Sequence, residues 1–197
     1  MSGPTTVTAA VLVIGDEILS GRTKDRNIGY IAEYLAKIGV DLREARVVPD
    51  VEEEIVAALD ALRQRYDYVI TTGGIGPTHD DITADAVARA FGVPIGEDPR
   101  VIALMTERYA PGDLTPARRR MARIPAGAEL IDNPISRAPG FRIGNVFVLA
   151  GVPTVMLFVQ SLRGLSHTKL EDTREEHLEL SVQALDRLAA KAMASYA

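Results

Sequence analysis

The stretch at residues 68–85, YVITTGGIGPTHDDITAD, contains the residue types with which α/β proteins bind anions. A β-branched run leads into a glycine-rich turn, and Pro77 stiffens the exit from that turn. Backbone N–H groups can approach a phosphate where no Cβ intervenes, and the start of a following helix attracts negative charge. Against the alternative of a purely structural tight turn, we expect these residues to bind a ligand: Thr72, Gly73, Gly74, Gly76 and Pro77. Residues 73–77 are called the glycine loop below.

Two carboxylates, Asp80 and Asp81, follow the glycine loop closely. Carboxylates repel a phosphate unless a cation lies between them, so their presence here favours a metal-assisted phosphate or diphosphate site. For Asp80, a solvated loop carboxylate is an equally good interpretation.

A second polar segment, Gly15 to Gly21 (GDEILSG), follows the first apolar run. Open α/β sheets bind ligands at the carboxyl ends of their strands. We therefore expect Asp16, Glu17 and Ser20 to face the same crevice as the glycine loop.

The elements that must position these residues follow from periodicity. Continuous or imperfectly alternating apolar runs predict strands over residues 7–14, 40–48 and 68–72. Apolar residues at spacings of three and four predict helices from residue 27, from residue 51 and over residues 84–91, the last with Thr83 as N-cap. The alternation predicts an α/β fold, a three-layer αβα sandwich with a mostly parallel sheet.

The regular alternation of predicted strands and helices ends at about Pro94. Asp98-Pro99 and Thr115-Pro116 each predict a helix start, and Gly144-Asn145 predicts a hairpin. We expect residues 95–145 to form a small inserted subregion within a domain that covers residues 1–165. Residues 154–165 are expected to be helical, and residues 166–197 to form a C-terminal amphipathic helix that packs on its own subunit or on a neighbour in a homo-oligomer.

Composition excludes several classes of function. The 197 residues carry a net charge of −5 and include no cysteine. The charge argues against a nucleic-acid partner, and the lack of cysteine excludes disulfides and thiolate metal sites. The apolar run at residues 7–14 is too short to span a bilayer and no signal-peptide pattern precedes it. We expect a cytoplasmic protein with no membrane partner.

Four motifs in order resemble a known family: GDEILSG, VVPD after the second strand, TTGGIGP followed by DDIT, and GVP late in the chain. Together they are similar to the molybdopterin-binding domain, and more closely to the N-terminal domain of competence/damage-inducible protein A (CinA), over residues 7–162.

The resemblance implies roles for particular residues. Asp50 and Asp81 fall on the acidic residues required for catalysis in the adenylyltransferase branch, and they would hold Mg²⁺, with Asp80 as a further candidate ligand. The glycines of the loop would supply backbone donors, and Gly151 lies in the matching late loop. Asp50 is also expected to cap the helix that follows it. The implied activity is Mg²⁺-dependent cleavage of a nucleotide diphosphate such as ADP-ribose.

Two alternatives remain open. The same aspartates would serve adenylyl transfer to molybdopterin, with that pterin as the ligand, although the inserted segment argues against it. A noncatalytic binding or regulatory protein is the other alternative, and Ala150 favours it because the family has proline at that position. The tail does not resemble the start of the amidase domain of longer relatives, so deamidase activity is not transferred.

Overall fold

The structure, a computed structural model, describes residues 6–110, 112–133 and 139–149. The predicted helix at residues 154–165, the tail from residue 166 and Gly151 lie outside the described residues, as does Ala150.

The described strands are β1 (Val7–Ile14), β2 (Val40–Val48), β3 (Tyr68–Thr72), β4 (Ile95–Glu97), β5 (Arg123–Pro125), β6 (Glu129–Ile131), β7 (Gly140–Ile143) and β8 (Val146–Val148). The described helices are α1 (Asp16–Leu19), α2 (Asn27–Lys37), α3 (Glu52–Arg65), α4 (Thr83–Phe91), α5 (Pro99–Arg108) and α6 (Pro116–Arg119), with a 3₁₀ turn at Arg120–Ala122.

Strand β1 lies inside the main sheet because its side chains are apolar on both faces. Residues 9–14 are all buried, and β1 pairs in parallel with β2 on one side and β3 on the other. Within the described residues the main sheet has the order β2-β1-β3-β8-β7-β6, in which the first four strands are parallel. This confirms the predicted mostly parallel sheet.

Helices cover both faces of this sheet. On one face, the buried stripe of α2, with Ile31 and Leu35, packs in a cluster with Val11 and Val13 of β1. On the other face, α3 and α4 bury their apolar residues in a second cluster that includes Leu12. The two clusters separate three layers, as the sequence predicts, and burial of their apolar surface stabilises the arrangement.

The predicted subregion at residues 95–145 contributes to two sheets. Strands β4 and β5 form a separate antiparallel pair, whereas β6 and β7 extend the main sheet. The predicted hairpin at Gly144-Asn145 is confirmed, and the Asn145 amide donates to the carbonyls of Arg63 and Tyr66, each at 2.9 Å. The hairpin therefore also fixes the end of α3.

Both helix starts predicted from an N-cap followed by proline are confirmed. The side chain of Asp98 accepts the N–H of Arg100, and that of Thr115 accepts the N–H of Arg118. In the part of the chain that the structure describes, no helix is both long enough and apolar enough to cross a bilayer.

Candidate functional site

Three parallel strands end at the same level, which brings their polar extensions together. In the register of β1, Ile14 pairs with Val48 and Val13 pairs with Thr72. The segments after β1, β2 and β3 therefore leave the sheet at one carboxyl edge. This is the edge at which open α/β sheets bind their ligands.

The glycine loop passes very close to the end of β1. Gly73 and Gly74 have φ angles of +92° and +61°, in the region that L side chains rarely adopt. A Cβ on Gly73 would lie 1.9 Å from the carbonyl oxygen of Ile14, and one on Gly74 would lie 2.2 Å from Oγ1 of Thr83. The approach requires glycine at both positions.

Thr83 holds the glycine loop in place. Its predicted role as the N-cap of α4 is wrong. The N-cap position belongs to Ile82, which makes no side-chain cap. The buried Thr83 hydroxyl donates to the Gly73 carbonyl at 2.9 Å, and the Thr83 N–H donates to the Gly74 carbonyl at 3.0 Å. These two bonds turn both carbonyls toward the start of α4.

The same two bonds set the direction of the amides in the loop. In a trans peptide the C=O and the following N–H point in opposite directions. Because the carbonyls of Gly73 and Gly74 face Thr83, the N–H groups of Gly74 and Ile75 point away from α4. Aligned backbone donors without an intervening Cβ form an anion-binding concavity.

Asp50 ties the segment after β2 to the segment after β1. Its Oδ2 accepts the N–H of Asp16 at 2.9 Å, beside a backbone bond from the Gly15 N–H to the Val48 carbonyl at 3.0 Å. The predicted capping role of Asp50 is wrong, because Val51 occupies the N-cap of α3 and no side chain caps it. The bond from Asp16 instead orients the Asp50 carboxylate within the crevice.

The electrostatic surroundings of Asp50 are negative. Burial raises the pKa of the Asp50 carboxyl above its ordinary range, and the hydrogen bond from the Asp16 N–H opposes that rise. The negative charges of Glu17, Asp16 and Asp80 raise this pKa further. Three of the sequence-predicted carboxylates therefore act on Asp50, and a cation among them would relieve the repulsion.

These carboxylates fit a cation that the ligand helps to bind. Within residues 6–110, 112–133 and 139–149, no group of three or more His, Asp or Glu residues is arranged to hold a metal alone. Mg²⁺ is usually held by one or two carboxylates together with substrate phosphates and water. Asp50 and Asp80 could provide the protein's part of such a shell beside the glycine loop.

Asp81 is placed differently from the Asp50 group. Its Oδ2 accepts the Thr78 N–H at 2.8 Å and also the Thr78 hydroxyl, and its carboxylate lies against Gly76. Asp81 organises the end of the glycine loop, and its partnership with Asp50 through a metal stays a prediction.

The remaining predicted residues occupy the rim and the floor of the crevice. Ser20 is exposed, and its hydroxyl accepts from Arg22 Nε at 3.0 Å. Thr72 is 1% exposed, and its hydroxyl has no hydrogen-bond partner among the described residues. Pro77 is half-buried in the loop.

Arg120 belongs to a run of three arginines for which the sequence favours a solvated helix face over contact with a ligand phosphate. Of the three consecutive arginines, Arg118 lies over the Tyr109 ring at 4.5 Å and Arg119 pairs with Glu97. Arg120 instead lines a small pocket with Gly74, Gly76 and Asp81. Its buried Nε has no partner in the described part of the chain. The cluster RRR was the available signal, but only the fold distinguishes its third member.

Comparison with protein families and curated proteins gives extensive similarity. The family model described as "Probable molybdopterin binding domain" matches residues 10–162. A CinA-like protein of Citrifermentans bemidjiense is 46% identical over 154 residues, and Protein Ta0487 of Thermoplasma acidophilum is 38% identical over 152 residues. Both alignments cover 75% of this chain, but only 37% of the first relative and 59% of the second.

Comparison with solved structures gives the same picture. The crystal structure of CinA from Thermoplasma acidophilum, described as of unknown function, has a TM-score of 0.73 and 31% identity over 92% of this chain and 97% of that one. The tungsten cofactor synthesizing protein MoaB from Pyrococcus furiosus has a TM-score of 0.52 at 19% identity, over 98% of each chain, and supports the fold alone. The predicted α/β class and the resemblance to CinA are confirmed.

Proposed function

This chain belongs to the probable molybdopterin-binding domain family, and we propose that it binds a nucleotide diphosphate and hydrolyses its pyrophosphate bond with the help of Mg²⁺. The observation that carries the proposal is the grouping of Asp50 with other carboxylates at the sheet edge where the glycine loop presents its amides. A crevice that holds both backbone N–H donors for phosphate oxygens and carboxylate ligands for a cation suits a diphosphate better than a monoanion or a neutral ligand.

Each part of the site has a role in this proposal. The N–H groups of Gly74 and Ile75 bind phosphate oxygens, and Thr83 holds the loop in the required conformation. Asp50 and Asp80 would hold Mg²⁺, which when bound neutralises charge on the phosphate oxygens. The Asp16 N–H fixes Oδ2 of Asp50 and so orients the carboxylate toward the ligand.

ADP-ribose is the substrate that we propose. A water oxygen forms a bond to one phosphorus, the bond from that phosphorus to the bridging oxygen breaks, and the products are AMP and ribose 5-phosphate. The attacking water gives up its proton to the solvent, and Asp50 would act through the Mg²⁺ that it holds.

The test measures AMP released from ADP-ribose by the purified protein with Mg²⁺ and with EDTA. We expect Mg²⁺-dependent release by the wild type and a loss of about 100-fold in Asp50→Asn, a typical loss when one electrostatic contribution to the transition state is removed. Asp41→Asn is the matched control, because Asp41 is exposed at the opposite end of β2 and pairs with Arg43; it should retain full activity.

Two results would contradict the proposal. One is the absence of AMP release by the wild type. The other is equal activity in Asp50→Asn and Asp41→Asn, which would mean that the reaction does not take place at the carboxylates around Asp50. Tight binding of ADP-ribose without turnover would instead support the noncatalytic alternative.

A further inference from the structure

Three buried polar atoms on one side of the crevice lack hydrogen-bond partners among the described residues. They are Oδ2 of Asp25, Oδ1 of Asn27 and Oγ1 of Thr72. Asn27 is 6% exposed and Thr72 is 1% exposed. Buried polar groups in folded proteins are nearly always paired, so an unpaired group points to a missing partner.

The fold brings these atoms to one face of the sheet at its carboxyl edge. Helix α2 connects the end of β1 to the start of β2, so its first residue, Asn27, lies at the carboxyl edge. Asn27 belongs to the buried stripe of α2 that faces the sheet. Thr72 faces the same side, because Ile70, two residues before it on β3, packs in the cluster with α2.

The chemistry of the three atoms selects the kind of group that would satisfy them. Oδ1 of Asp25 accepts the Ile28 N–H at 2.9 Å, which leaves Oδ2 as a fixed acceptor. An anion is repelled by this carboxylate. A divalent cation would find only one charged ligand among the three groups, too few to replace its hydration without phosphate oxygens.

A hydroxyl pair satisfies all three atoms. A hydroxyl donates to a carboxylate or an amide oxygen, and it can also accept from a threonine hydroxyl or from an amide nitrogen. The vicinal diol of ribose carries two such groups in fixed geometry. Recognition of a ribose hydroxyl by an acidic residue also occurs in dinucleotide-binding folds, where the acid lies beside a glycine-rich phosphate loop.

We propose that Asp25, Asn27 and Thr72 form a subsite for the 2′,3′-diol of a ribose, so that the ligand of this crevice is a ribonucleotide with both hydroxyls free. This inference rests on the proposed nucleotide-diphosphate function, which supplies the rest of the ligand. It adds selectivity for ribose over deoxyribose. The glycine loop and the carboxylates around Asp50 do not provide this selectivity, because contacts with phosphate do not depend on the hydroxyls of the sugar.

The experiment compares the dissociation constants of ADP and 2′-deoxy-ADP, each with Mg²⁺, by calorimetry. ADP is the probe because it carries a single ribose. Wild-type protein should bind ADP at least 10-fold more tightly, because the deoxy analogue leaves buried polar groups unpaired. Asn27→Ala and Thr72→Val should bring the ratio of the two dissociation constants, 2′-deoxy-ADP over ADP, close to one, mainly by weakening the binding of ADP.

Thr71→Val is the matched control. The hydroxyl of Thr71 is also buried and unpartnered within the described residues, but alternation along β3 places it on the opposite face of the sheet. Thr71→Val should therefore keep the wild-type ratio, and both valine variants should fold, since valine has the shape of threonine.

Each other outcome overturns the inference. Equal binding of ADP and 2′-deoxy-ADP by the wild type would refute the diol subsite, and a positive AMP-release assay would then leave the proposed function standing. An equal fall of the ratio in Thr71→Val and Thr72→Val would show that the face of the sheet is irrelevant. Failure of wild-type protein to bind either nucleotide would overturn the nucleotide proposal and the subsite together.

Discussion

Gly73→Ala tests whether the glycine loop must lie against the end of β1. The φ angle of Gly73 is +92°, and an added Cβ would lie 1.9 Å from the carbonyl oxygen of Ile14. That oxygen belongs to the backbone of a buried central strand, so it cannot rotate away as a side chain would. The substitution must therefore displace either the loop or the strand.

Gly39→Ala separates the two costs of that substitution. Gly39 has a φ angle of +78°, but a Cβ there would meet nothing within 4 Å. The left-handed conformation alone costs an L residue about 1–2 kcal/mol. Overpacking against fixed backbone adds about 1–3 kcal/mol. We therefore expect Gly39→Ala to lose about 1–2 kcal/mol and Gly73→Ala about 2–5 kcal/mol.

Urea unfolding followed by circular dichroism measures this difference. In a thermal scan of a domain of this size, each kcal/mol lowers Tm by about 2–4 °C. Gly73→Ala should also weaken ADP-ribose binding, whereas Gly39→Ala should not, because Gly39 lies far from the carboxyl edge, at the end of α2. Equal losses of stability in the two variants would refute the close approach of the loop to β1.

Three further predictions concern single contacts. Asn145→Ala removes two donations to carbonyls at the end of α3 and should lower the free energy of unfolding by about 1–3 kcal/mol in urea titrations; a loss below about 0.5 kcal/mol would contradict it. Asp85 and Arg123, 2.6 Å apart and both about 30% exposed, should show a coupling of about 0.5–1 kcal/mol in a double-mutant cycle, and strict additivity would refute the ion pair. Because the pKa of Asp50 is raised on folding, its carboxyl favours the folded state only while it is protonated, and this contribution to the free energy of unfolding is lost as the pH rises through the folded-state pKa. Asp50→Asn should therefore unfold at a higher urea concentration than the wild type at pH 7. A gain in stability of the same size near pH 4 would contradict that cause.

The layered fold could be predicted from sequence because its signals are local. The apolar run of β1 and the three-and-four spacing of α2 each lie within a dozen residues. Gly144-Asn145 fixes a two-residue turn on its own. Their structures follow from the period of burial and from turn chemistry, with little contribution from distant residues.

The errors concern residues whose partners are distant in sequence. Asp50 and Thr83 are residue types that favour helix caps. In the fold, Asp50 accepts from Asp16, 34 residues earlier, and Thr83 donates to Gly73, ten residues earlier. Helix-cap propensity reflects only the residues nearby in sequence. At both positions the hydrogen bond to a distant residue outweighs it. The unpaired oxygen of Asn27 was likewise invisible in sequence, because only burial distinguishes it from a surface amide.

The most direct test of the account is the position of a bound diphosphate and its metal. A crystal structure with Mn²⁺ and a non-hydrolysable methylene analogue of ADP-ribose would locate the metal by its anomalous scattering. We predict the diphosphate against the N–H groups of Gly74 and Ile75, and Mn²⁺ coordinated by the Asp50 carboxylate. A diphosphate bound elsewhere, or Mn²⁺ bound without Asp50, would contradict the proposed site.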